Sequence, residues 1–413
     1  MKILYLAHRL PYPPNKGEKI RTFHQIQQLA KNHTIHLCSF VDDPDDLPHV
    51  SALRQYCASV EVIYRSQAPT VFLAAAAFLR RSPFSVSLFY RKALAEKVLQ
   101  KAARERFDCI IVSSSSMAQY AYQVPDIPKI LDFIDVDSEK WRLYAQHHSF
   151  LRSFVYRLEA QRLARYEETI ARVFDHSIFS SEAESRLFQA RASGRPVSAI
   201  SNGVDLDHFA PSPIDSLAAS RPTVVFTGVM DYFPNVDAVA YFCRDIFPVV
   251  RRTVPDARFY IVGRNPTRQV RDLGKQTNVM VTGAVPDVRL YLAQARVAVA
   301  PVRLACGVQN KILEAMAMGV PVVGTAETFK GIAASEQDGV RIAGDSLSFA
   351  RQVTTLLRDA AFSREAGLQA RRYVERHHRW EDQGVKLEAL LEEVVWRRAD
   401  TLPLGIKSAA ALA

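Results

Sequence analysis

The sequence predicts an α/β protein of two domains, each built on a doubly wound parallel sheet with helices on both faces. Three observations support this prediction. The chain has 413 residues, more than one ordinary core accommodates, so about two domains are expected. Short apolar runs alternate with helical segments in both halves, as in sheets whose parallel strands are joined by helices. A segment rich in proline and serine separates the two halves and is typical of a linker.

The first domain is placed at residues 1–205. Its expected strands are residues 2–7, 35–40, 108–112, 129–134 and 176–180, with helical segments between them. A proline-rich loop follows the first strand and ends at Gly17, directly before a predicted helix over residues 18–32.

The second domain is placed at residues 223–380, after a linker over residues 206–222. Its expected strands are residues 223–228, 258–262, 279–282, 297–301 and 320–324. A C-terminal amphipathic helix is placed at residues 381–400, and residues 401–413 are expected to form a loose tail.

The composition predicts a folded protein without metal sites or membrane spans. Hydrophobic residues make up 48% of the chain and charged residues 23%, which is typical of globular proteins. The five cysteines are scattered and the 11 histidines form no metal-ligand pattern, so we expect a reducing compartment and no metal. No signal-peptide pattern precedes the first strand, and the longest apolar run, 71–79, is about half of a membrane span. A cytoplasmic protein is expected.

The formal net charge of +10 predicts a partner of opposite sign. No nucleic-acid-binding module and no basic-aromatic strand pattern is recognisable, so nucleic acid is not expected as a partner. Three candidate partners remain: an anionic membrane surface, a pyrophosphate-linked lipid and a nucleotide diphosphate. The net charge does not distinguish between them.

Residues 305–323 form the most informative segment, which predicts a loop, a helix, a tight turn and a buried strand. Gly307 allows a close approach of the backbone to a ligand, and Asn310 and Lys311 stand where the helix begins. A helix N-terminus with a lysine favours a phosphate, and Glu314 lies one turn further along. An ordinary buried junction between a helix and a strand is the alternative, and the local pattern leaves both open.

The residue pattern of this segment also resembles a known family motif. Gly-x-x-Asn-Lys-x-Leu-Glu-Ala-Met-Ala-x-Gly-x-Pro-Val-Val resembles the donor site of retaining nucleotide-sugar glycosyltransferases of family four. The resemblance implies the GT-B fold, in which two Rossmann-like domains face a cleft. It also implies that the C-terminal helix at residues 381–400 crosses back onto the first domain. It also implies a nucleotide diphosphate sugar as donor substrate, no cofactor, no metal, and Glu314 as the residue that holds the ribose hydroxyls.

Within that family, the chain is most similar to the sugar transferases associated with bacterial exosortase (PEP-CTERM) exopolysaccharide clusters. The shared segments are 228–232 with Pro234-Asn235, the pattern Asp132-x-x-Asp135-x-Asp137-Ser138, and the Asn-Lys-x-Leu-Glu-Ala-Met-Ala block. This similarity implies a growing, lipid-linked glycan as acceptor.

The chain departs from the family pattern at two places. Many members carry two glutamates separated by seven residues, the first of which contacts the donor sugar, and counting back from Glu314 the first position is Cys306. A thiol is a poor acceptor of sugar hydroxyl bonds, so the backbone amides of Gly307 and Val308 take that role or donor recognition is altered.

The second departure concerns the arginine and lysine that commonly follow the first strand of the second domain. Both are missing from residues 228–235, although Gly228 itself is counted with the donor-binding residues. The diphosphate must then meet Lys311, Arg264, Arg303 and the helix N-terminus. For Arg303 a solvated surface charge is the open alternative.

The first domain contributes two further candidates. By resemblance Gly17 faces the donor diphosphate, with Lys16, Lys19 and Arg21 as nearby cations, although a plain turn glycine remains possible. Asp135 follows a strand end, where open α/β sheets bind ligands, and is the candidate contact to the acceptor or donor sugar. We expect Asp137 to cap the next helix.

Basic and aromatic residues cluster in residues 70–106 and suit docking on an anionic membrane. A pair of core-packed helices is the alternative. The residues of the candidate face are Phe72, Phe78, Arg80, Arg81, Arg91 and Lys92.

Together these observations predict a metal-independent, retaining hexosyltransferase-type enzyme of bacterial type. Asp135, Cys306 and Lys311 are placed at its catalytic centre. The protein would be cytoplasmic, with peripheral attachment to the inner face of the cytoplasmic membrane if the membrane face exists. The alternatives are a nucleotide-sugar epimerase on the same fold and a catalytically inactive GT-B scaffold. The sequence does not name the sugar, the base or the acceptor.

Overall fold

The computed structural model describes residues 1–65, 82–147, 150–192, 194–211 and 222–401. The chain forms two compact units. Unit 1 contains Met1–Ser201 and the chain from Trp380 onward, and unit 2 contains Asn202–Arg379. Of the expected linker, residues 206–211 and 222 belong to unit 2, whereas residues 212–221 lie outside the described part of the chain, as does most of the expected tail.

Unit 1 is built on a seven-stranded parallel sheet with the strand order β3-β2-β1-β4-β5-β6-β7. Its strands are β1 (Lys2–Ala7), β2 (Thr34–Val41), β3 (Ser59–Tyr64), β4 (Cys109–Ser113), β5 (Lys129–Ile134), β6 (His176–Phe179) and β7 (Val197–Ala199). Its first helices are α1 (Gly17–Leu29), α2 (Val50–Leu53), α3 (Phe84–Leu88), α4 (Lys92–Arg104), α5 (Asp137–Gln146), α6 (Phe150–Val173) and α7 (Glu182–Gln189). The short edge strand β7 has no apolar run long enough to predict it.

Successive residues of β1 point to opposite faces of this sheet, so each face has its own core. Leu4 and Leu6 belong to one apolar cluster, whereas Ile3 and Tyr5 belong to another. All four are fully buried. The continuous apolar run is therefore explained by a strand that is covered on both sides.

Unit 2 has a six-stranded parallel sheet with the order β10-β9-β8-β11-β12-β13. Its strands are β8 (Thr223–Thr227), β9 (Arg258–Val262), β10 (Val279–Gly283), β11 (Val297–Ala300), β12 (Val322–Gly324) and β13 (Val340–Ile342). Its helices are α8 (Phe233–Tyr241), α9 (Phe247–Thr253), α10 (Arg268–Leu273), α11 (Arg289–Gln294), α12 (Asn310–Ala317), α13 (Ala326–Phe329), α14 (Ser346–Arg358) and α15 (Ala360–His377).

The last helix, α16 (Trp380–Thr401), belongs to unit 1 and packs against α1. Leu387 and Leu391 are almost fully buried in the same cluster as Ile3. The Trp380 ring stacks on His24 at 4.5 Å between centroids. The C-terminal helix therefore completes the core of the unit in which the chain begins.

Both sheets have a point at which the strand order reverses. In unit 1 it lies between β1 and β4, and in unit 2 between β8 and β11. Open α/β sheets bind ligands at the carboxyl ends of the strands beside such a point. The loops after these strands are therefore where a site is expected.

The predicted membrane face falls mostly on residues that are not described, because Phe72, Phe78, Arg80 and Arg81 lie within 66–81. The described remainder of that region is packed: α4 buries Leu94 and Val98 in the core. Among the described residues, no helix is long and apolar enough to cross a membrane.

Candidate functional site

The site in unit 2 begins at the turn after β8. Gly228 and Gly263 both adopt positive φ angles, 157° and 152°. A Cβ atom on Gly263 would lie 1.6 Å from the carbonyl oxygen of Gly228, so the two turns touch and only glycine fits. Asn235, near the start of α8, packs on Gly228 and donates from Nδ2 to the carbonyl oxygen of Val229 at 2.9 Å. The loop after β8 is thereby fixed.

The second part of the site is the loop before α12. Gly307 has a φ angle of 60°, and a Cβ on Gly331 would lie 2.2 Å from its carbonyl oxygen, so the loop is pressed against Gly331. Gln309 is extended and makes no side-chain cap at the helix start, but its Nε2 donates to the carbonyl oxygen of Cys306 at 3.1 Å. Cys306 and Val308 are half-buried in this loop.

Lys311 joins the two parts. Its Nζ donates to Oδ1 of Asn235 at 2.5 Å and lies 4.6 Å from the centre of the Phe226 ring. Burial lowers the pKa of Lys311 to about 7, and the charge of Glu314 opposes that shift. The ammonium is therefore held at the carboxyl end of β8 in a place where water solvates it poorly. A bound anion would stabilise its charged form.

Glu314 lies one turn beyond Lys311 on α12. Burial raises the pKa of its carboxyl group to about 7, and Lys311 opposes the shift. Within the described part of the chain, its carboxyl oxygens accept no hydrogen bond. A half-buried carboxyl group with no hydrogen-bond donor is suited to bind hydroxyl groups of a ligand.

Asn310, the first residue of α12, shows a related feature. Its Oδ1 accepts from Nδ2 of Asn202 at 2.9 Å. Its own Nδ2 is buried and has no partner among the described residues. Buried polar groups without partners are rare in folded proteins, so this donor marks a place where a ligand or water would bind.

The two predicted arginines differ from this group. Arg303 is already paired, since its Nε donates to Oδ2 of Asp237 at 3.0 Å and its guanidinium lies 4.9 Å from the Tyr241 ring centre. Its side chain is 42% exposed, so Arg303 is a surface cation that is already paired with a carboxylate. Arg264 is half-buried in the turn after β9, and its carbonyl oxygen accepts from the amide of Met230 at 2.9 Å.

In unit 1, Asp135 and Asp137 follow β5. The hydroxyl of Ser180 donates to Asp135 at 2.8 Å, and burial raises the pKa of that carboxyl group, assisted by the charge of Asp137. The prediction that Asp137 caps a helix is wrong. Asp137 is the first residue of α5, whose N-cap is Val136, and its carboxylate instead accepts from Ser115 at 3.1 Å.

Gly17 is the first residue of α1, and a Cβ there would meet no atom within 4 Å. The fold itself therefore does not require glycine at this position. The first turn of α1 already carries Glu18, whose carboxylate pairs with Arg9.

Two of the cations predicted near Gly17 cannot serve as anion ligands. Lys19 is buried in an ion pair with Asp46 at 2.7 Å. Arg21 is buried and donates to both carboxyl oxygens of Asp132, at 2.7 and 3.1 Å. Both charges are used inside the core, where an uncompensated charge is strongly unfavourable.

Residues 221–359 match the family model of glycosyl transferases group 1. Sucrose-phosphate synthase from Thermosynechococcus elongatus is similar in structure, with a TM-score of 0.72 and 17% sequence identity, and the match covers 95% of this chain and 99% of that chain. HepE of Anabaena, solved in complex with UDP-glucose, has a TM-score of 0.67 and 18% identity, with 95% and 100% covered. The fold is GT-B.

A third GT-B neighbour is WaaG, a glycosyltransferase involved in lipopolysaccharide biosynthesis, with a TM-score of 0.64, 15% identity, and 94% and 99% of the two chains covered. No curated protein is significantly similar to the chain. Within the described residues of this GT-B chain, no group of three His, Cys, Asp or Glu side chains could hold a metal ion.

The structure thus brings some predicted residues together and reveals others. Lys311 and Gly228 are joined through Asn235, and Asn310 is joined to Asn202. Neither Asn235 nor Asn202 was predicted as a site residue. Asn235 stands in the Pro-Asn pair that carries part of the family resemblance, so a signal for it was present in the sequence. Asn202 lies in a turn pattern of the sequence, and that pattern does not indicate a site residue.

Proposed function

We propose that the chain is a retaining glycosyltransferase that moves a sugar from a nucleotide diphosphate donor to a growing, lipid-linked exopolysaccharide. The observation that carries the proposal is the pair Lys311 and Glu314 at the start of α12, whose ammonium and carboxyl groups are both poorly solvated. The pair lies inside the residues that match the glycosyl transferases group 1 model.

Each group has a role toward the donor. The Lys311 ammonium and the N-terminus of α12 bind the diphosphate, since both carry positive charge. The Glu314 carboxylate accepts hydrogen bonds from the ribose hydroxyls. The structural neighbour HepE binds UDP-glucose in its crystal structure, which supports a nucleotide sugar as the donor class here.

Transfer depends on position and charge. The leaving diphosphate gains negative charge as the sugar bond breaks, and Lys311 stabilises that charge without a metal ion. Cys306 stands where many members of the resembled family have a glutamate that contacts the sugar. In this chain the backbone amides of Gly307 and Val308 contact the sugar instead. Asp135 contacts the acceptor or the donor sugar. The enzyme works in the cytoplasm, attached peripherally to the membrane that carries its acceptor.

Glu314→Gln tests the proposal. The amide preserves size but loses the charge and one acceptor, and a bond to a charged group contributes about 1.5–3 kcal/mol, so transfer should fall about tenfold to a hundredfold. The measurement is release of nucleoside diphosphate from a panel of nucleotide sugars, with and without membrane lipid extract as acceptor. NMR of the product reports the anomeric configuration, and EDTA tests metal independence.

The exposed Glu365, on α15, provides the matched control through Glu365→Gln, which should leave transfer unchanged. Normal turnover by Glu314→Gln together with a large loss of stability would make Glu314 a structural residue. Conversion of the nucleotide sugar without acceptor would indicate an epimerase. Tight donor binding without transfer or hydrolysis would indicate an inactive scaffold.

A further inference from the structure

The first turns of α6 expose an unusual set of large apolar side chains. Phe150 is 86% exposed, Leu151 78%, Phe154 64% and Val155 59%. At about 100° per residue, these four positions fall within an arc of roughly 140° on the helix. Isolated exposed apolar residues are ordinary, but a contiguous stripe marks an interaction surface.

The stripe faces away from the core of unit 1. The buried residues of α6 lie on the opposite side of the helix, and they include Ser153, Ala160 and Leu163. Tyr156 packs against Trp141 of α5 at 5.2 Å between ring centroids, which fixes the two helices to each other. The stripe is therefore the outer surface of a packed helical hairpin.

Charge is distributed unevenly around α6. Residues 140–158 contain four basic residues and no acidic residue. Arg152 and Arg157 flank the stripe, and Arg165 and Arg172 continue along its face at helical spacing. The side chains of these four arginines, Arg152, Arg157, Arg165 and Arg172, are exposed, and none of them has an ion-pair partner in the described part of the chain.

Two of the three acidic residues of α6 are instead buried. Glu159 is buried and accepts from the amides of Phe84 and Ser85 at 2.7 and 2.8 Å. Glu167 is buried and accepts from the amide and hydroxyl of Ser138. Glu168 lies 3.7 Å from the guanidinium of Arg191. Over residues 150–158 the outer face of α6 is thus apolar and cationic without a carboxylate, and Glu168, about five turns beyond Phe150 on the same side, lies beside Arg191.

We propose that this outer face of α6 docks on an anionic lipid bilayer. The apolar stripe would enter the boundary between headgroups and acyl chains, and the arginines would contact lipid phosphates. Association of two copies through the stripe is disfavoured, because it would bring two sets of unpaired arginines together. The inference deepens the proposed function, since it gives the enzyme a surface for reaching a lipid-linked acceptor.

The test is co-sedimentation of the full chain with vesicles of phosphatidylcholine, with and without phosphatidylglycerol. One variant removes the stripe, with Phe150, Leu151, Phe154 and Val155 all changed to serine. A second carries Arg152→Gln, Arg157→Gln and Arg165→Gln. Each basic residue near an anionic surface contributes about 1 kcal/mol and 1.4 kcal/mol is a tenfold change, so the second variant should bind anionic vesicles about a hundredfold more weakly.

Matched controls come from unit 2. Leu290→Ser with Leu347→Ser removes two apolar side chains that are each 60% exposed, and Arg358→Gln with Arg364→Gln and Arg376→Gln removes three exposed charges. Both controls should bind vesicles like the parent chain. Binding of the parent should also fall as salt is added.

Unchanged vesicle binding by either α6 variant would overturn the proposal, as would equal binding of the parent to neutral vesicles. A dimer that dissociates in the serine variant, without vesicle binding by the parent, would assign the stripe to a second copy and also overturn it. UDP affinity, measured on every variant, separates the two proposals. Vesicle binding without any nucleotide binding would support the docking face and contradict the proposed function.

Discussion

At the scale of single residues, Lys311 and Glu314 have the most chemical consequence. Both titrate near neutral pH because burial disfavours the charged form of each. Their mutual attraction only partly offsets this effect. Such shifts are expected where a ligand supplies the missing stabilisation, and Lys311 is already oriented by its bond to Asn235.

Binding of a nucleoside diphosphate at pH 8 should therefore take up a proton. Without ligand, most Lys311 is neutral at that pH, because its pKa is lowered to about 7. A phosphate beside Lys311 raises the pKa of its amine, which then takes up a proton. Glu314 is already mostly ionised at pH 8 and therefore has few protons to release. Calorimetry in buffers of different ionisation enthalpy should show this uptake. Lys311→Ala should abolish it and weaken affinity about tenfold to a hundredfold.

Lys330→Ala provides the matched control for this experiment, because Lys330 is 65% exposed at its side chain in the same unit. It should retain both the affinity and the proton uptake of the parent. Unchanged affinity in Lys311→Ala, across all candidate nucleotides, would show that the phosphate binds elsewhere.

At the scale of elements, the hairpin of α5 and α6 is fixed by a buried carboxyl group. Glu167 is fully buried and accepts from the amide of Ser138 at 2.9 Å and from its hydroxyl at 2.6 Å. Burial raises the pKa of Glu167 to about 7, while Ser138 and Arg191 oppose the shift and Asp137 adds to it. The hairpin that carries the proposed docking face therefore contains a group that titrates in the physiological range.

The sign of the pH dependence follows from linkage. Between pH of about 4.5 and 7 the unfolded chain has lost the Glu167 proton that the folded chain retains, so the free energy of unfolding falls as pH rises. Glu167→Gln carries no such proton. Its stability relative to the parent should improve by up to about 3 kcal/mol from pH 4.5 to 8, at 1.36 kcal/mol per pKa unit.

Urea unfolding at several pH values measures this change. The chain has three tryptophans, Trp141, Trp380 and Trp396, and all belong to unit 1, so their fluorescence reports the unfolding of that unit. Glu182→Gln, at an exposed position of α7, should show no trend. A constant stability difference between Glu167→Gln and the parent across this range would contradict the assignment.

At the scale of the whole molecule, the main feature is that the chain returns to unit 1 after completing unit 2. Helix α16 contributes Leu387, Leu390, Leu391 and Val394 to the cluster on one face of the first sheet. There the helix packs against α1 and β5. The two ends of the described chain therefore fold as one unit.

Leu391→Ala should destabilise unit 1 by about 2–5 kcal/mol, because it removes a fully buried side chain and leaves a cavity. Val385→Ala, on the same helix but 66% exposed, should change stability by less than about 0.5 kcal/mol. Urea unfolding followed by tryptophan fluorescence measures both. Equal effects of the two changes would mean that α16 does not complete this core.

The sequence by itself determined the α/β class, most strands and the helix start that carries Lys311 and Glu314. These features depend on local patterns: apolar runs specify buried parallel strands, and one continuous segment places Gly307, Asn310, Lys311 and Glu314 in order. Strand β7, by contrast, is only three residues long and leaves no such pattern.

Only the tertiary structure decided which charges are available to a ligand. Arg21 and Asp132 are 111 residues apart in the chain, yet they form a buried pair that removes Arg21 from the predicted anion site. Asp137 likewise bonds to Ser115 and does not cap its helix. Asn235 reaches Lys311 across 76 residues. Local patterns encode periodicity and turns, whereas partners of polar groups are fixed by the packing of distant segments, because a buried charge must find its counterpart wherever the fold provides one.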